Sequence, residues 1–518
     1  MNPMQNVSTN LLSQNISEMI PSVEFYIHSS PILIFLFSAL FALVVGVFRA
    51  DPDKPNYPAM GIAVAACLTA ILPPLVRPIH TPIAYLGSGF LADSLTQFGM
   101  IGVTLGTLVT LLFASFTNMG RNLLRAELVA LLLTASAGLM TMISAGEFLT
   151  FFVGLELASI PLYILVGFQR DSRQGLEAAL KYFLLGAVAS ALILMGMAFL
   201  YLHTGSLAWS SLHSVYLVRT SPYAIMGVIL FISGISFKLA LAPFHFWAPD
   251  IYQGANAILT GYMASMVKFG VVLALLRILS AGMHDEQSYL MWIFWILGAL
   301  SIIVGSLFGL VQRSVKRILA YSSVANAGYF ALAFAVLAYH PGHELAKEAL
   351  LSYTAIYAIL TLGAFGVLAW LEEGVEEDIE RKNLDGLGSK NPFAAVALSI
   401  FLLGLAGIPP VAGFFGKLWI LNSAVSGGLV GLAVILAIFS AVSLFYYLSL
   451  ITAMWFHPAT SETAQGVLDN SVANRMRLTI AVLAVVSIVI GLIGPRWAVK
   501  FDTRMARPNT VGYATQGE

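Results

Sequence analysis

The sequence predicts an all-α, polytopic membrane protein of about 14 transmembrane helices. Three observations carry that expectation. Only 10% of its 518 residues are charged, against about 25% in an ordinary soluble domain. Mean hydropathy is +0.86. Apolar runs of helix-spanning length recur along the whole chain, which one soluble core could not absorb. The 26 Lys plus Arg balance 26 Asp plus Glu, so no basic surface invites nucleic acid. Barrel strands need only about ten residues, and these runs are twice that.

The apolar segments fall at roughly 30–49, 58–79, 92–118, 124–144, 147–168, 176–202, 223–248, 254–280, 289–310, 315–339, 346–371, 393–420, 427–454 and 477–495. The first 20 residues hold no Lys or Arg, which argues against a cleaved signal peptide. Fourteen basic residues flank the odd-numbered connections (Arg49, Lys54, Arg121, Arg125, Arg170, Arg173, Arg313, Lys316, Arg317, Arg381, Lys382, Lys390, Arg475 and Arg477), against four at the even ones (Arg77, Arg219, Arg277 and Lys347). The positive-inside rule then places the odd connections in the cytoplasm and both termini on the other side of the membrane. Arg496, Lys500, Arg504 and Arg507 in the tail oppose this. The acidic run Glu372–Glu380 between segments 11 and 12 reads as a solvated face or as an amphipathic surface helix docking on a neighbour. Cys67 stands alone in an apolar run, a small core residue.

Four ionisable residues lie where apolar helices should be. Glu156 is in segment 5, Lys238 in segment 7, Lys268 in segment 8 and Lys417 in segment 12. Charges inside a membrane cost several kcal/mol and persist where they line water or meet one another. Burial disfavours the charged lysine and a nearby carboxylate favours it, so Glu156 and Lys238 form the natural exchanging pair. Lys268 and Lys417 are further stations of a proton relay. No carboxylate cluster suits a hard cation, which favours H+ over Na+.

Prolines fall beside these charges. Pro243 follows Lys238, while Pro409 and Pro410 precede Lys417 among Gly404, Gly407 and Gly413. Such helices break, and broken helices build mid-membrane ion sites. Pro161 kinks segment 5 beyond Glu156. Lys181 either snorkels or links Glu156 onward. His245 is a relay or a core histidine, and Asp250 ends its stretch. Tyr321, with Ser322, Ser323, Asn326 and Tyr329, gives segment 10 a polar face that holds water or bonds neighbouring helices. Tyr353 and Tyr357 wet the path from Lys268 to Lys417, or merely pack. Segments 4–8 and 9–13 are both five helices long, each with its Lys and Pro in the fourth member, a pattern expected of inverted repeats. The divisions are 1–123, 124–280, 289–454, and 455–518 with helix 14 and the tail.

FKLALAPFHFWAPDIYQGA, the central lysine of segment 8, KRILAYSSVANAGY and GIPPVAGFFGK together resemble the antiporter-like membrane subunits of respiratory complex I, of the subunit N type. The resemblance covers roughly residues 30–495. It implies a proton-pumping subunit of NADH:quinone oxidoreductase with two inverted five-helix repeats and broken helices 7 and 12. It gives Glu156, Lys238, Lys268 and Lys417 the family's relay roles. Many relatives carry His where this chain has Asn326, and Asn does not titrate. The resemblance also implies that this chain binds no cofactor: NAD, FMN, iron–sulfur clusters and quinone belong to other subunits. The implied partners are neighbouring antiporter-like and small membrane-arm subunits, lipid and, indirectly, the peripheral redox arm. Multisubunit Na+/H+ antiporter subunits and photosynthetic or ferredoxin-dependent quinone oxidoreductases are similar.

Overall fold

A computed structural model describes residues 22–48, 56–79, 81–116, 125–169, 172–212, 221–281, 289–373, 378–460, 463–464 and 470–494. The expectations for residues 1–20 and the tail, and for Arg49, Lys54, Arg121, Arg170 and Arg219, lie outside them.

The helices are α1 (Val23–Val47), α2 (Tyr57–Val76), α3 (Ser94–Phe116), α4 (Ala126–Ser144), α5 (Phe148–Val166), α6 (Arg173–Thr204), α7 (Pro222–Leu239), α8 (Trp247–Gly254), α9 (Ala257–Ala281), α10 (Tyr289–Leu310), α11 (Val315–Tyr339), α12 (Glu344–Leu371), α13 (Pro392–Ala406), α14 (Ala412–Ser426), α15 (Val430–Phe456) and α16 (Asn470–Ile493). Thirteen are long and apolar enough to cross a membrane among the described residues, so this is a multi-pass, all-α membrane protein. The run expected at 393–420 is instead two helices of 15 residues, α13 and α14, neither of them spanning length. A short antiparallel hairpin, β1 (Ile83–Tyr85) with β2 (Phe90–Ala92), was not anticipated.

Side-chain caps set several helix starts. Ser172 accepts from Gly175 N, Asn256 from Ile258 N, Ser314 from Arg317 N and His343 from Ala346 N. Burial then sorts the helices. α11 is buried throughout its apolar window, and α9 and α12 nearly so, while only a third or less of the windows of α1, α15 and α16 is buried. The core therefore runs along α9, α11 and α12, and polar groups on these helices are far from bulk water. Close packing there depends on small residues. Gly305 lies against the backbone of Ala325 and Tyr321, where a Cβ would sit 2.4 Å from Ala325 N, so α10 and α11 meet backbone to backbone.

Candidate functional site

Both proline-bearing segments are interrupted. α7 ends at Leu239, with Ala240 left-handed (φ 57°) and the chain non-helical until Trp247. The freed backbone groups find partners: Leu241 N donates to Ser236 O, Trp247 Nε1 to Phe237 O, and Ala242 N to Ser301 Oγ on α10. Lys238 occupies the last turn of α7, where the helix dipole favours a cation. The second interruption separates α13 from α14. Here Gly407 has φ +83°, which suits glycine, and a Cβ on Gly413 would lie 1.8 Å from Gly404 O. Lys417 reaches back across the gap and donates to Ala406 O at 2.9 Å, capping the C-terminus of α13. Both interruptions thus set a lysine against a helix C-terminus.

Lys238 is 3% exposed, Lys268 1% and Lys417 7%. Their partners are neutral. Lys238 Nζ donates to Ser159 Oγ and Tyr163 Oη, each at 2.9 Å. Lys268 follows a π-helical turn (Met263–Val267) and donates to Ser323 O at 2.6 Å; such turns concentrate at functional sites. Lys417 also donates to Ser440 Oγ at 3.2 Å, with its Nζ 5.1 Å from the centre of the Tyr329 ring.

Glu156 and Lys238, the expected exchanging pair, are not in direct contact. Half-buried Glu156 accepts from Ser190 Oγ on α6 at 2.5 Å, while Lys238 is held by Ser159 and Tyr163. Ser159 and Tyr163 follow Glu156 at three and seven residues on α5, one face of the helix. They stand between the two charges. Gly186, one turn before Ser190, leaves the space that the Tyr163 hydroxyl fills.

Lys181 does not link to Glu156. It is exposed and pairs with Glu177 at 2.8 Å and Asp250 at 3.2 Å. Asp250 also accepts from Arg317 Nη1 at 2.8 Å, so it ties α8 to α6 and α11 rather than only ending its stretch. Burial alone would push the Asp250 carboxyl up; the Arg317 and Lys181 hydrogen bonds override it and hold it below the usual carboxylate range. His245 lies in the first interruption, 6.2 Å ring to ring from Tyr321, its buried Nδ1 without a hydrogen-bond partner among the described residues. Tyr321 stacks on Phe308 and is half-buried.

Between Lys268 and Lys417 the polar face of α11 meets α12 and α15. Tyr357 Oη donates to Ser323 Oγ at 2.9 Å, and Tyr252 Oη lies 3.5 Å from the same oxygen. Tyr353 Oη donates to Asn326 Oδ1, Asn326 Nδ2 donates to Ser322 O at 2.7 Å, and Ser322 Oγ bonds Tyr447 Oη. Tyr447, Ser440 and Ser443 escaped the sequence reading, although S-x-x-S-x-x-x-Y puts all three on one face of an apolar helix.

Two further buried ion pairs were missed. Arg277 makes a two-pronged contact with Asp93 at 2.7 and 2.8 Å, and bonds Ile143 O and Thr96 Oγ1. Lys316 pairs with Glu372 at 3.0 Å and lies 3.8 Å from Asp378, donating also to Ala255 O. Glu372 and Glu373 are 8% and 6% exposed, which corrects the solvated reading at the start of the acidic run. Its register comes from the end of α12, which delivers Glu372 onto α11. Among the described residues, no group of three or more His, Cys, Asp or Glu is placed to hold a metal ion.

Interrupted helices around buried amines define an ion-translocating membrane architecture. Residues 145–443 match the family described as NADH:quinone oxidoreductase/Mrp antiporter, transmembrane. The chain belongs to this family of antiporter-like membrane subunits. It is 31% identical over 471 residues to NADH-quinone oxidoreductase subunit N of Bdellovibrio bacteriovorus, covering 90% of this chain and 95% of that one. It matches a chain of respiratory complex I from Thermus thermophilus at 32% identity and TM-score 0.74, covering 89% and 97%. A chain of the Mrp complex from a Dietzia species shares the fold at 20% identity and TM-score 0.74, covering 91% and 95%.

Proposed function

We propose that this chain is a proton-translocating membrane subunit of an NADH:quinone oxidoreductase, assembled with other membrane-arm subunits, in a bacterial inner membrane. Electron transfer, and the NAD, FMN, iron–sulfur and quinone sites it needs, belong to other subunits. Protons pass along Glu156, Lys238, Lys268 and Lys417, with Tyr357 and buried water between stations. α4–α9 and α10–α15 are two inverted repeats, with α7/α8 and α13/α14 as broken helices 7 and 12. The odd connections face the cytoplasm, as the basic residues favour.

One contrast supports this reading. Arg277 and Lys316 are buried and locked by carboxylates, as structural cations are. Lys238, Lys268 and Lys417 are equally buried, yet their partners are hydroxyls, carbonyls and rings. An amine held by neutral groups can gain or lose a proton without stranding a carboxylate. Three such amines in one core suit transfer better than packing.

Mild detergent extraction followed by vesicle assays tests the assignment. Flavin and iron–sulfur proteins should co-purify with the chain, and NADH should drive acidification. Na+-dependent H+ flux without NADH, from a preparation free of redox proteins, would replace this reading with cation/H+ antiport.

A further inference from the structure

The relay proposed above must pass from Lys268, bound to Ser323 O beside the Ser323–Tyr357 contact, to Lys417, and beyond that contact two polar branches leave α11. On the first, Tyr353 Oη donates to Asn326 Oδ1, and Asn326 Nδ2 donates to Ser322 O and, at 3.4 Å, to Ser322 Oγ. An amide oxygen accepts a hydrogen bond but has no proton of its own to hand on. A proton reaching Tyr353 stops there. On the second branch, Ser322 Oγ bonds Tyr447 Oη, and each hydroxyl both donates and accepts.

Tyr447 lies on α15, and Ser443 and Ser440 follow toward the N-terminus on the same face. Ser440 Oγ accepts from Lys417 Nζ at 3.2 Å. Two buried phenol hydroxyls complete the region. Tyr446 adjoins Tyr447 with ring centres 4.4 Å apart, and Tyr329 lies under the Lys417 ammonium. Among the described residues neither Tyr446 Oη nor Tyr329 Oη has a hydrogen-bond partner, and a buried hydroxyl left so is where a bound water is expected.

We infer that the connection between Lys268 and Lys417 leaves α11 at Ser322 and runs along α15 through Tyr447, Ser443 and Ser440 with water held by Tyr446 and Tyr329, while Tyr353–Asn326 is a closed branch that positions α12 against α11. This rests on the relay reading. Ser443 Oγ donates to Ser440 O, so its hydroxyl must turn from that carbonyl toward the water for the hop; each hydroxyl then takes the arriving proton on a lone pair as it releases its own onward, and returns neutral. The neutral Lys417 amine gains the proton at the end.

Tyr447→Phe, Tyr353→Phe, Lys268→Ala and Lys417→Ala in the intact complex, reconstituted in vesicles, separate the possibilities. The readout is protons moved per NADH oxidised, with subunit content checked. Tyr447→Phe should lose the same fraction as Lys417→Ala, and Tyr353→Phe should keep the wild-type ratio. If Tyr447→Phe fails to assemble, Ser322→Ala removes the same bond from the other side and should give the same loss. Full pumping in Lys268→Ala and Lys417→Ala would sink the relay itself. Losses there, with full pumping in Tyr447→Phe or equal loss in Tyr353→Phe, would overturn only the α15 route.

Discussion

Replacing Lys268 by methionine should leave the subunit at least as stable as wild type, whereas Asp93→Asn should destabilise it strongly. The two sites have similar burial, since Lys268 is 1% and Arg277 5% exposed. They differ in partners. Lys268 Nζ has one hydrogen bond at 2.6 Å, to a main-chain carbonyl in mid-helix α11. Methionine fills similar volume and removes a buried polar group, and exchanging buried charge for packed apolar volume is neutral or stabilising by about 1–4 kcal/mol. Asp93→Asn strands a guanidinium that had two charge-assisted contacts at 2.7 and 2.8 Å, which costs about 3–5 kcal/mol. Ile143 O and Thr96 Oγ1 still engage Arg277, so the lower end of that range applies. Subunit retention in the purified complex after graded heating reads the order. Losses in Lys268→Met as large as those in Asp93→Asn would mean that the lysine is a structural fastening, and the contrast behind the relay would fail.

Two further outcomes follow from particular contacts. Gly413→Ala drives a Cβ to within 1.8 Å of the Gly404 carbonyl, so the subunit should be lost from the membrane, while Gly61→Ala, with nothing within 4 Å, should accumulate normally; immunoblotting of membranes decides. Asp250→Asn should lower thermal stability by at most about 1 kcal/mol, because the pair is partly exposed. The carboxyl of Asp250 is held below its usual 3.8, so its contribution is present above that value and lost as pH falls through the lower folded value. The difference between Asp250→Asn and wild type should be flat from about pH 5 to 8 and vanish in stronger acid; a difference that grows on acidification contradicts the ion pairing.

Much of the fold was legible because membrane helices declare themselves by apolar length. The two interruptions were legible too, since Pro243 and the Pro409–Pro410 pair remove backbone donors inside apolar runs. Lys238, Lys268 and Lys417 stood out because a charge in such a run is rare. What escaped was the matching of partners across helices. Arg277 looked like a flanking charge because Asp93 is 184 residues away in sequence. Glu372 looked solvated because only the docking of α12 on α11 brings it to Lys316. Ser190 and Tyr163 carry no signal of their own in an apolar helix, and the one-face spacing of Ser440, Ser443 and Tyr447 says nothing of what they meet; the buried donor or acceptor beside each gives it meaning. The β1–β2 hairpin has strands of three residues, too short for an alternating pattern to register.

In the proposed relay, buried amines held by hydroxyls, carbonyls and rings carry the proton. The ratio of protons moved to electrons transferred tests it most directly, measured in vesicles containing intact complex with Lys238→Ala. The ratio should fall, with NADH oxidation and subunit content retained. An unchanged ratio would contradict it.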